Sequence, residues 1–157
     1  MMKWDPLDWK IVNMLQEDGR ISTKDIAKKT GVTDATVRNR IKRLIKAGDL
    51  KIMGLINPSK QKNVSVAIIG INLSYHELNK KAHEIANLKY VNWVAISTGR
   101  YDLIVEITFD TYEEGILEFL TKELYKVGDI RSTETFLLLK NINKWVTMKR
   151  TITENKR

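Results

Sequence analysis

Residues 21–48, ISTKDIAKKTGVTDATVRNRIKRLIKAG, contain the clearest structural signal of the chain. It predicts two short helices, 22–29 and 33–47. Ser22 and Thr33 are residue types that cap helix N-termini, and apolar neighbours flank each of them at the positions of a hydrophobic staple. Gly31 lies between the helices, where a residue without a Cβ adopts a left-handed conformation at low cost. Two short helices joined in this way predict a helix-turn-helix.

The second of these helices has an apolar side and a cationic side when its residues are placed at about 100° intervals. We expect the apolar side, with Val37, Ile41, Leu44 and Ile45, to pack. The other side fits a DNA recognition helix, which needs small or amide side chains near its N-terminus and cations further along. We expect double-stranded DNA to be the partner. We predict that Ala35, Thr36 and Asn39 contact base edges. The predicted phosphate contacts are Lys28, Lys29, Arg38, Arg40, Lys42, Arg43 and Lys46, and Thr33 is a further predicted DNA contact.

The alternative for these cations is an ordinary solvated surface, which is the usual meaning of a run of lysine and arginine. A surface that serves solubility normally alternates the sign of its charges. Here seven cations between positions 28 and 46 are accompanied by one acid, Asp34. The imbalance favours contact with nucleic acid.

Composition divides the chain of 157 residues into two small domains. Residues 1–60 contain 13 Lys and Arg against 7 Asp and Glu, whereas residues 61–148 have a net charge of −1. The absence of cysteine excludes disulfides and thiolate metal sites. We expect no cofactor, no metal and no membrane partner, and we expect a cytoplasmic protein because no signal peptide or membrane span is evident.

The first domain, 1–60, is predicted to be a winged helix-turn-helix. Asp5-Pro6 opens a first helix over 5–17, with a capping acid followed by proline in the first turn. After Gly48 an extended run over 50–56 contains Gly54, which indicates a hairpin and therefore a small wing. Lys51 on this wing is either a further phosphate contact or simply solvated.

The second domain, 61–140, follows a β-α-β-β-α-β order typical of the ferredoxin-like fold. Its helices are predicted to begin at Ser74 and Thr111. The predicted strands are 64–73, 90–97, 102–109 and 130–139. A C-terminal extension, 141–157, follows, which either forms an extra element on the dimer or adds DNA affinity.

Such a sheet has helices on one face only, yet its strands are apolar on both faces. Val66 and Ile68 alternate with Ala67 and Ile69 in the first strand. The uncovered face needs a cover, and a second copy of the chain supplies one, so we expect a homodimer. Paired recognition helices also match DNA half-sites about 34 Å apart.

With both halves described, the chain resembles the Lrp/AsnC family of feast/famine transcription regulators. The resemblance rests on Leu7-Asp8, Asp18-Gly19-Arg20, Ile26-Ala27, Gly31-Val32, Val37 to Ile41, Leu44 to Leu50 and Gly99 to Leu103. It covers about residues 5–139. It implies a winged-helix domain, a ligand-sensing ferredoxin-like domain, and dimers that assemble into tetramers or octamers. It also implies an amino acid or related metabolite as effector.

In the family the effector sits between dimers, held by a glycine-containing hairpin and the last strand. The matching residues are Gly99, Arg100, Tyr101, Asp102, Thr133, Glu134 and Thr135. Asp102 is suited to pair with an α-ammonium, and Arg100 to hold a carboxylate. The alternative is a tight hairpin whose Asp and Arg satisfy their own backbone.

Two other functions are weighed against this regulator. An architectural chromatin protein would use the same basic helix without an effector. An enzyme is not expected, although similar plans occur in sirohaem decarboxylases and the ferredoxin-like fold hosts acylphosphatases. His76 and His83 are the chain's two histidines, and neither belongs to a recognisable catalytic set.

Overall fold

The computed structural model describes residues 3–74, 77–110 and 113–148. The chain divides into two compact units, Met1–Gly54 and Leu55–Arg157. The predicted boundary at residue 60 lies six residues later. Residues 55–60 fall in the second unit because Ile56 pairs with Val146 and the Ser59 hydroxyl donates to the Asn141 carbonyl at 2.7 Å.

Three helices form the first unit, and their boundaries follow the predicted caps. They are α1 (Pro6–Glu17), α2 (Thr23–Thr30) and α3 (Asp34–Lys46). Asp5 and Asp8 form a reciprocal capping box at the start of α1. The Ser22 hydroxyl accepts from the Asp25 amide, and the Thr33 hydroxyl accepts from the Thr36 amide. Local side-chain chemistry therefore sets all three helix starts.

The core of this unit is built where the three helices meet. Gly31 ends α2 in the left-handed conformation, with φ of 74°. The buried core residues are Ile11, Ile26, Ala27 and Val37, with Leu7, Met14, Leu15, Ile21, Val32 and Ile41 packed around them. Ile45, expected on the packed side, is 48% exposed. The packed side of α3 is centred between Val37 and Leu44, so Ile45, about 100° beyond Leu44, lies at its edge.

The prediction that residues 50–56 form a hairpin wing is wrong. Residues 50–55 form no strand, and Ile56 pairs with Val146 instead of with a neighbour in the run. Two-residue hairpin turns of the favoured types need a positive φ, which Gly54 does not have. The apolar residues of the run satisfied the strand pattern, but the chain provides no turn that would fold it back.

The second unit is a four-stranded antiparallel sheet in the ferredoxin-like order β2-β3-β1-β4. The strands are β1 (Ser65–Leu73), β2 (Val91–Ile96), β3 (Leu103–Phe109) and β4 (Ile130–Leu137). Helix α4 (Leu78–Ala86) follows β1, and a helical segment α5 (113–126) precedes β4. The α5 segment consists of wide π-helical turns that end in a 3-10 turn.

The helix start predicted at Ser74 is wrong, since α4 begins at Leu78. Ser74 does not cap α4, because Glu77 holds the N-cap position and makes no side-chain cap bond there. The Ser74 amide instead donates to the Asp129 carbonyl at 2.7 Å, beside β4. The start predicted at Thr111 lies outside the described residues, as does His76.

Both helical segments cover one face of the sheet. Alternate strand residues point into this core, among them Ile69, Ile71, Val105 and Ile107. The opposite face, which we call the open face, carries Val66, Ile68 and Gly70 on β1, Trp93 and Ala95 on β2, Ile104, Glu106 and Thr108 on β3, and Ser132, Glu134 and Phe136 on β4. Trp93 is 41% exposed there, and Phe136 is similarly exposed. The expected apolar, uncovered face is therefore present only in part, because Val66, Glu106 and Thr108 on it are buried.

The chain after β4 packs within the second unit as far as residue 148. Lys144 forms an ion pair with Glu106, which is buried on the open face, and the Thr147 hydroxyl donates to Asn92 at 3.0 Å. The predicted separate extension over 141–157 therefore begins as part of the second unit. Residues 149–157 lie outside the described ranges. No helix in the described ranges has the length and apolar character needed to span a bilayer.

Candidate nucleic-acid interface and ligand site

The outward side of α3 is exposed and basic. Ala35 and Asn39 occupy its N-terminal half, and Lys42 and Lys46 its C-terminal half. Lys28 and Lys29 are exposed on α2. Within the described residues no ion pair engages any of these four lysines, although other cations of α3 are paired. The four ammonium groups are therefore available to an anionic partner.

Arg40 and Arg43, predicted to meet phosphates, are turned toward α1 instead. Arg43 Nη2 lies 2.6 Å from Asp8 Oδ2, and Arg40 Nη1 lies 3.2 Å from Asp8 Oδ1 while also pairing with Asp5. The Asp8 side chain has no exposed surface, so its charge needs both guanidinium groups. We therefore correct their role: Arg40 and Arg43 hold α3 against α1.

The same contacts shift two titrations. The Arg40 guanidinium hydrogen bonds to Asp5 and lowers the pKa of that carboxyl, and the Asp5 and Asp8 carboxylates raise the pKa of Arg40. Because the folded pKa of Asp5 is depressed, its contribution to stability is present above its ordinary pKa and is lost as the pH falls through the folded value. This part of the first unit is therefore weakened by acid.

Three other predicted DNA contacts have side-chain partners inside the first unit, namely Thr33, Thr36 and Arg38. The Thr33 hydroxyl accepts from the Thr36 amide at the start of α3 and lies 2.9 Å from the Thr36 hydroxyl. Arg38 is exposed but paired with Asp34. Lys51 is exposed in the segment that forms no wing, so it stays a prediction.

A cluster on the open face joins the β2–β3 hairpin to β4. The Tyr101 hydroxyl donates to Glu134, and Arg100 Nη2 lies 3.1 Å from Glu134 Oε2. The hydrogen bond to Glu134 raises the pKa of Tyr101. The Tyr101 ring lies on Gly70, where a Cβ would come within 2.5 Å of the ring. Gly70 thus lets the tyrosine reach across β1 to β4.

Asp102 is used by the backbone. Its Oδ2 accepts the Leu73 amide at 2.8 Å, and its own amide donates to the Ile71 carbonyl at 3.0 Å. This is the alternative that the sequence left open, a carboxylate that satisfies local backbone groups. Asp102 anchors the hairpin to β1, and Gly99 at its tip has φ of 118°.

Thr133 and Thr135 do not join Glu134. They pair with Ile71 and Ile69 and lie on the helix-covered side of the sheet, whereas Glu134 pairs with Gly70 on the open face. Successive strand residues point to opposite faces, so the three could never have formed one site within a subunit. The structure keeps Arg100, Tyr101 and Glu134 together and separates both threonines from them.

The acids that pair with the arginines of α3, Asp8 of α1 and Asp34 of α3 itself, were not predicted from the sequence. The sequence pattern includes Asp8 only in the family resemblance and Asp34 only as the one acid beside seven cations. The capping-box spacing Asp5–Asp8 was visible in the sequence, but its pairing with α3 is a tertiary contact across about 35 residues.

The fold and these two sites define a class of protein: a DNA-binding regulator with a helix-turn-helix domain and a ligand-binding α/β domain. The model of the AsnC-type helix-turn-helix domain matches residues 5–45, and the model of the Lrp/AsnC ligand binding domain matches residues 66–145. The chain belongs to the Lrp/AsnC family of transcriptional regulators, and as predicted it is a regulator and not an enzyme. The match ends at 145, six residues beyond the predicted extent of the resemblance.

Relatives and solved structures agree with this membership. An uncharacterized HTH-type transcriptional regulator of Pyrococcus furiosus is 38% identical over 142 residues, which cover 90% of this chain and 95% of that protein. The regulator FL11 of the same organism is 31% identical and covers 87% of this chain and 89% of its own length.

Solved structures share the fold over nearly the whole chain. AsnC of E. coli superposes with a TM-score of 0.65 at 24% identity, covering 96% of this chain and 99% of its own. The leucine response regulatory protein of Mycobacterium tuberculosis gives 0.76 at 19% identity, covering 90% and 96%. A Neisseria meningitidis regulator solved as a complex with L-Met gives 0.69 at 19% identity, covering 94% and 97%.

Proposed function

We propose that this protein is a sequence-specific DNA-binding regulator that acts as a homodimer and responds to an amino acid or related metabolite. The observation that carries the DNA-binding part is that Lys42 and Lys46, exposed beside Ala35 and Asn39 on α3, have no ion-pair partner among the residues that the structure describes. Small and amide side chains reach base edges, and ammonium groups meet phosphates. The direct test of DNA binding is a salt titration of the wild-type protein on a DNA duplex.

The homodimer is supported by the open face. Trp93, Phe136 and Ile104 present apolar surface that the subunit itself does not cover. A specific interface typically buries about 800 Å² per partner, and aromatic side chains such as Trp93 and Phe136 are enriched in its core. A dimer also suits the first unit, because paired recognition helices read half-sites about 34 Å apart. Assembly into tetramers or octamers stays a prediction from the family.

Trp93→Asp should convert the protein to monomers in sedimentation velocity experiments. The substitution puts a charge on the apolar face, and burying an unpaired charge at an interface is strongly unfavourable. Tyr125→Asp is the matched control, because Tyr125 is 83% exposed on α5, away from the open face. A Trp93→Asp protein that sediments like the wild type would contradict an interface on this face.

The effector is supported by the Arg100–Tyr101–Glu134 cluster. A guanidinium that can bind a carboxylate lies next to a carboxylate that can bind an ammonium, which are the two charged groups of a free amino acid. Relatives with this fold include the protein solved with L-Met, so an amino acid is the first class to examine. We propose that the α-carboxylate binds Arg100 and the α-ammonium binds Glu134.

Isothermal titration with the twenty amino acids should give heat with at least one of them. Glu134→Gln should then weaken that amino acid about 10- to 100-fold, since a hydrogen bond to a charged group is worth roughly 1.5–3 kcal/mol. Thr133→Val, on the other side of β4, should leave the affinity unchanged. An architectural protein without an effector predicts no heat with any amino acid, and that outcome would favour the alternative.

A further inference from the structure

Arg38 differs from the two other arginines of α3. Arg40 and Arg43 are committed to carboxylates of α1, whereas the Arg38 side chain is 64% exposed. Arg38 lies one turn from Lys42 and belongs to the same outward surface as Ala35. It is therefore the arginine of α3 that DNA could reach without dismantling the contact between α1 and α3.

The Arg38 guanidinium is held in place by two residues, Asp34 directly and Thr23 through Asp34. Arg38 Nη2 lies 2.8 Å from Asp34 Oδ2, four residues earlier in α3. The other oxygen, Asp34 Oδ1, accepts a hydrogen bond from the Thr23 hydroxyl in the first turn of α2. The Asp34 side chain is only 27% exposed. Asp34 is thus fixed between the two helices and in turn fixes Arg38.

This arrangement has an electrostatic cost for binding DNA. Asp34 is an acid in the first turn of a helix that meets a polyanion, so by charge alone it weakens binding to every sequence. Asp34 also orders the Arg38 side chain, and a guanidinium already held in one geometry loses less side-chain entropy when it binds. One contact to Asp34 also leaves most of the five N–H donors of Arg38 free.

We propose that Asp34, itself fixed by Thr23, positions Arg38 to read a guanine in the major groove. This inference rests on the proposed DNA binding and adds one specific base to it. Arginine is the side chain that binds O6 and N7 of guanine with two parallel hydrogen bonds, and lysine cannot reproduce that planar geometry. The preferred DNA site therefore contains a guanine at one fixed position in each half-site. Asp34 is a positioning residue for that contact.

The test is selection of bound duplexes from random DNA with the full-length protein and its variants. The wild type should show a strong guanine preference at one position of each half-site. Arg38→Ala should abolish the preference at that position. Asp34→Asn should reduce it about 10-fold, within the 5- to 150-fold range of a good bidentate contact, while raising affinity for all sequences because a repelling charge is lost.

Two controls separate positioning from general charge or folding. Lys42→Gln removes a phosphate contact and should lower affinity for all sequences without changing any base preference. Thr23→Val should weaken the same guanine preference, and Thr23→Ser, which keeps the hydroxyl, should preserve it. In an Arg38→Ala background, Asp34→Asn should have no further effect at that position.

The possible outcomes are distinct. If the wild type binds no DNA, the proposed function fails and the inference fails with it. If the wild type selects a sequence but Asp34→Asn changes only overall affinity, Asp34 acts by charge alone and the positioning role is wrong while DNA binding stands. If the wild type binds all sequences equally, no base is read, so the inference and the sequence specificity of the proposed function are both wrong while DNA binding stands.

Discussion

Replacing both Arg40 and Arg43 by methionine should destabilise the first unit by about 3–5 kcal/mol. The double variant leaves the Asp8 carboxylate buried without a cation, and breaking a buried pair from one side costs about that much. Methionine keeps much of the aliphatic stem, so the loss reports the charge more than the packing. Hydrogen exchange of the full chain is the measurement, since it reports each unit separately.

Amides over Pro6–Lys46 should exchange roughly 100- to 4,000-fold faster in this variant, while those of β1 to β4 should not change. Adding Asp8→Asn should recover much of the protection by removing the stranded charge. The matched control is Lys42→Met with Lys46→Met, which removes the same number of charges from the same helix. Its exchange should stay near the wild type, as is usual for exposed sites. Unchanged protection in the arginine variant would show that the Asp8 pairs do not hold α3 to α1.

Removing the two exposed lysines of α3 should impair DNA binding while leaving the stability of the first unit near that of the wild type. Lys42→Met with Lys46→Met should lower affinity for any duplex about 10²- to 10³-fold at 50–100 mM salt. The reason is that a dimer would lose four phosphate contacts, each of which releases about 0.9 counterion. Fluorescence anisotropy with a labelled duplex measures the loss, and hydrogen exchange on the same samples confirms the fold.

A double variant of exposed lysines elsewhere provides the control. Lys122→Met with Lys126→Met removes two exposed cations of α5 in the second unit, and its DNA affinity should stay within a few-fold of the wild type. If both lysine variants lose affinity equally, binding follows the net charge of the protein and not the α3 surface.

The helices of the first unit could be predicted because their signals are local. Asp5, Ser22 and Thr33 each cap a helix within three residues of their own position, and Gly31 needs only its own backbone to end α2. The sheet order followed from the β-α-β-β-α-β pattern, which leaves few topologies once the strands are placed. Local and topological rules were sufficient for these elements.

The role of each α3 cation could not be predicted in this way. Arg43 and Lys46 are only about 60° apart in a helical projection, yet Arg43 faces Asp8 while Lys46 is exposed on the outward side. The difference depends on how α1 crosses α3, which helical periodicity does not give. The missing wing has a related cause, since the partner of Ile56 is Val146, far along the chain.

Part of the error in the predicted ligand site could have been avoided from the sequence. Thr133, Glu134 and Thr135 are consecutive in a strand, so alternation alone places both threonines on the face opposite to Glu134. The Asp102 contact to the Leu73 amide was different, because the sequence offered both a ligand role and a backbone role. Only the structure decided between them.

DNA binding by the lysines of α2 and α3 is tested most directly by a salt titration of the wild-type protein on a duplex of about 30 base pairs. If the lysines on α2 and α3 of both copies meet phosphates, the dimer makes roughly 6–10 such contacts. The logarithm of the binding constant should then fall against the logarithm of salt concentration with a slope of about −5 to −9. A slope between zero and −1, or no binding at 50 mM salt, would contradict the assignment of this surface to DNA.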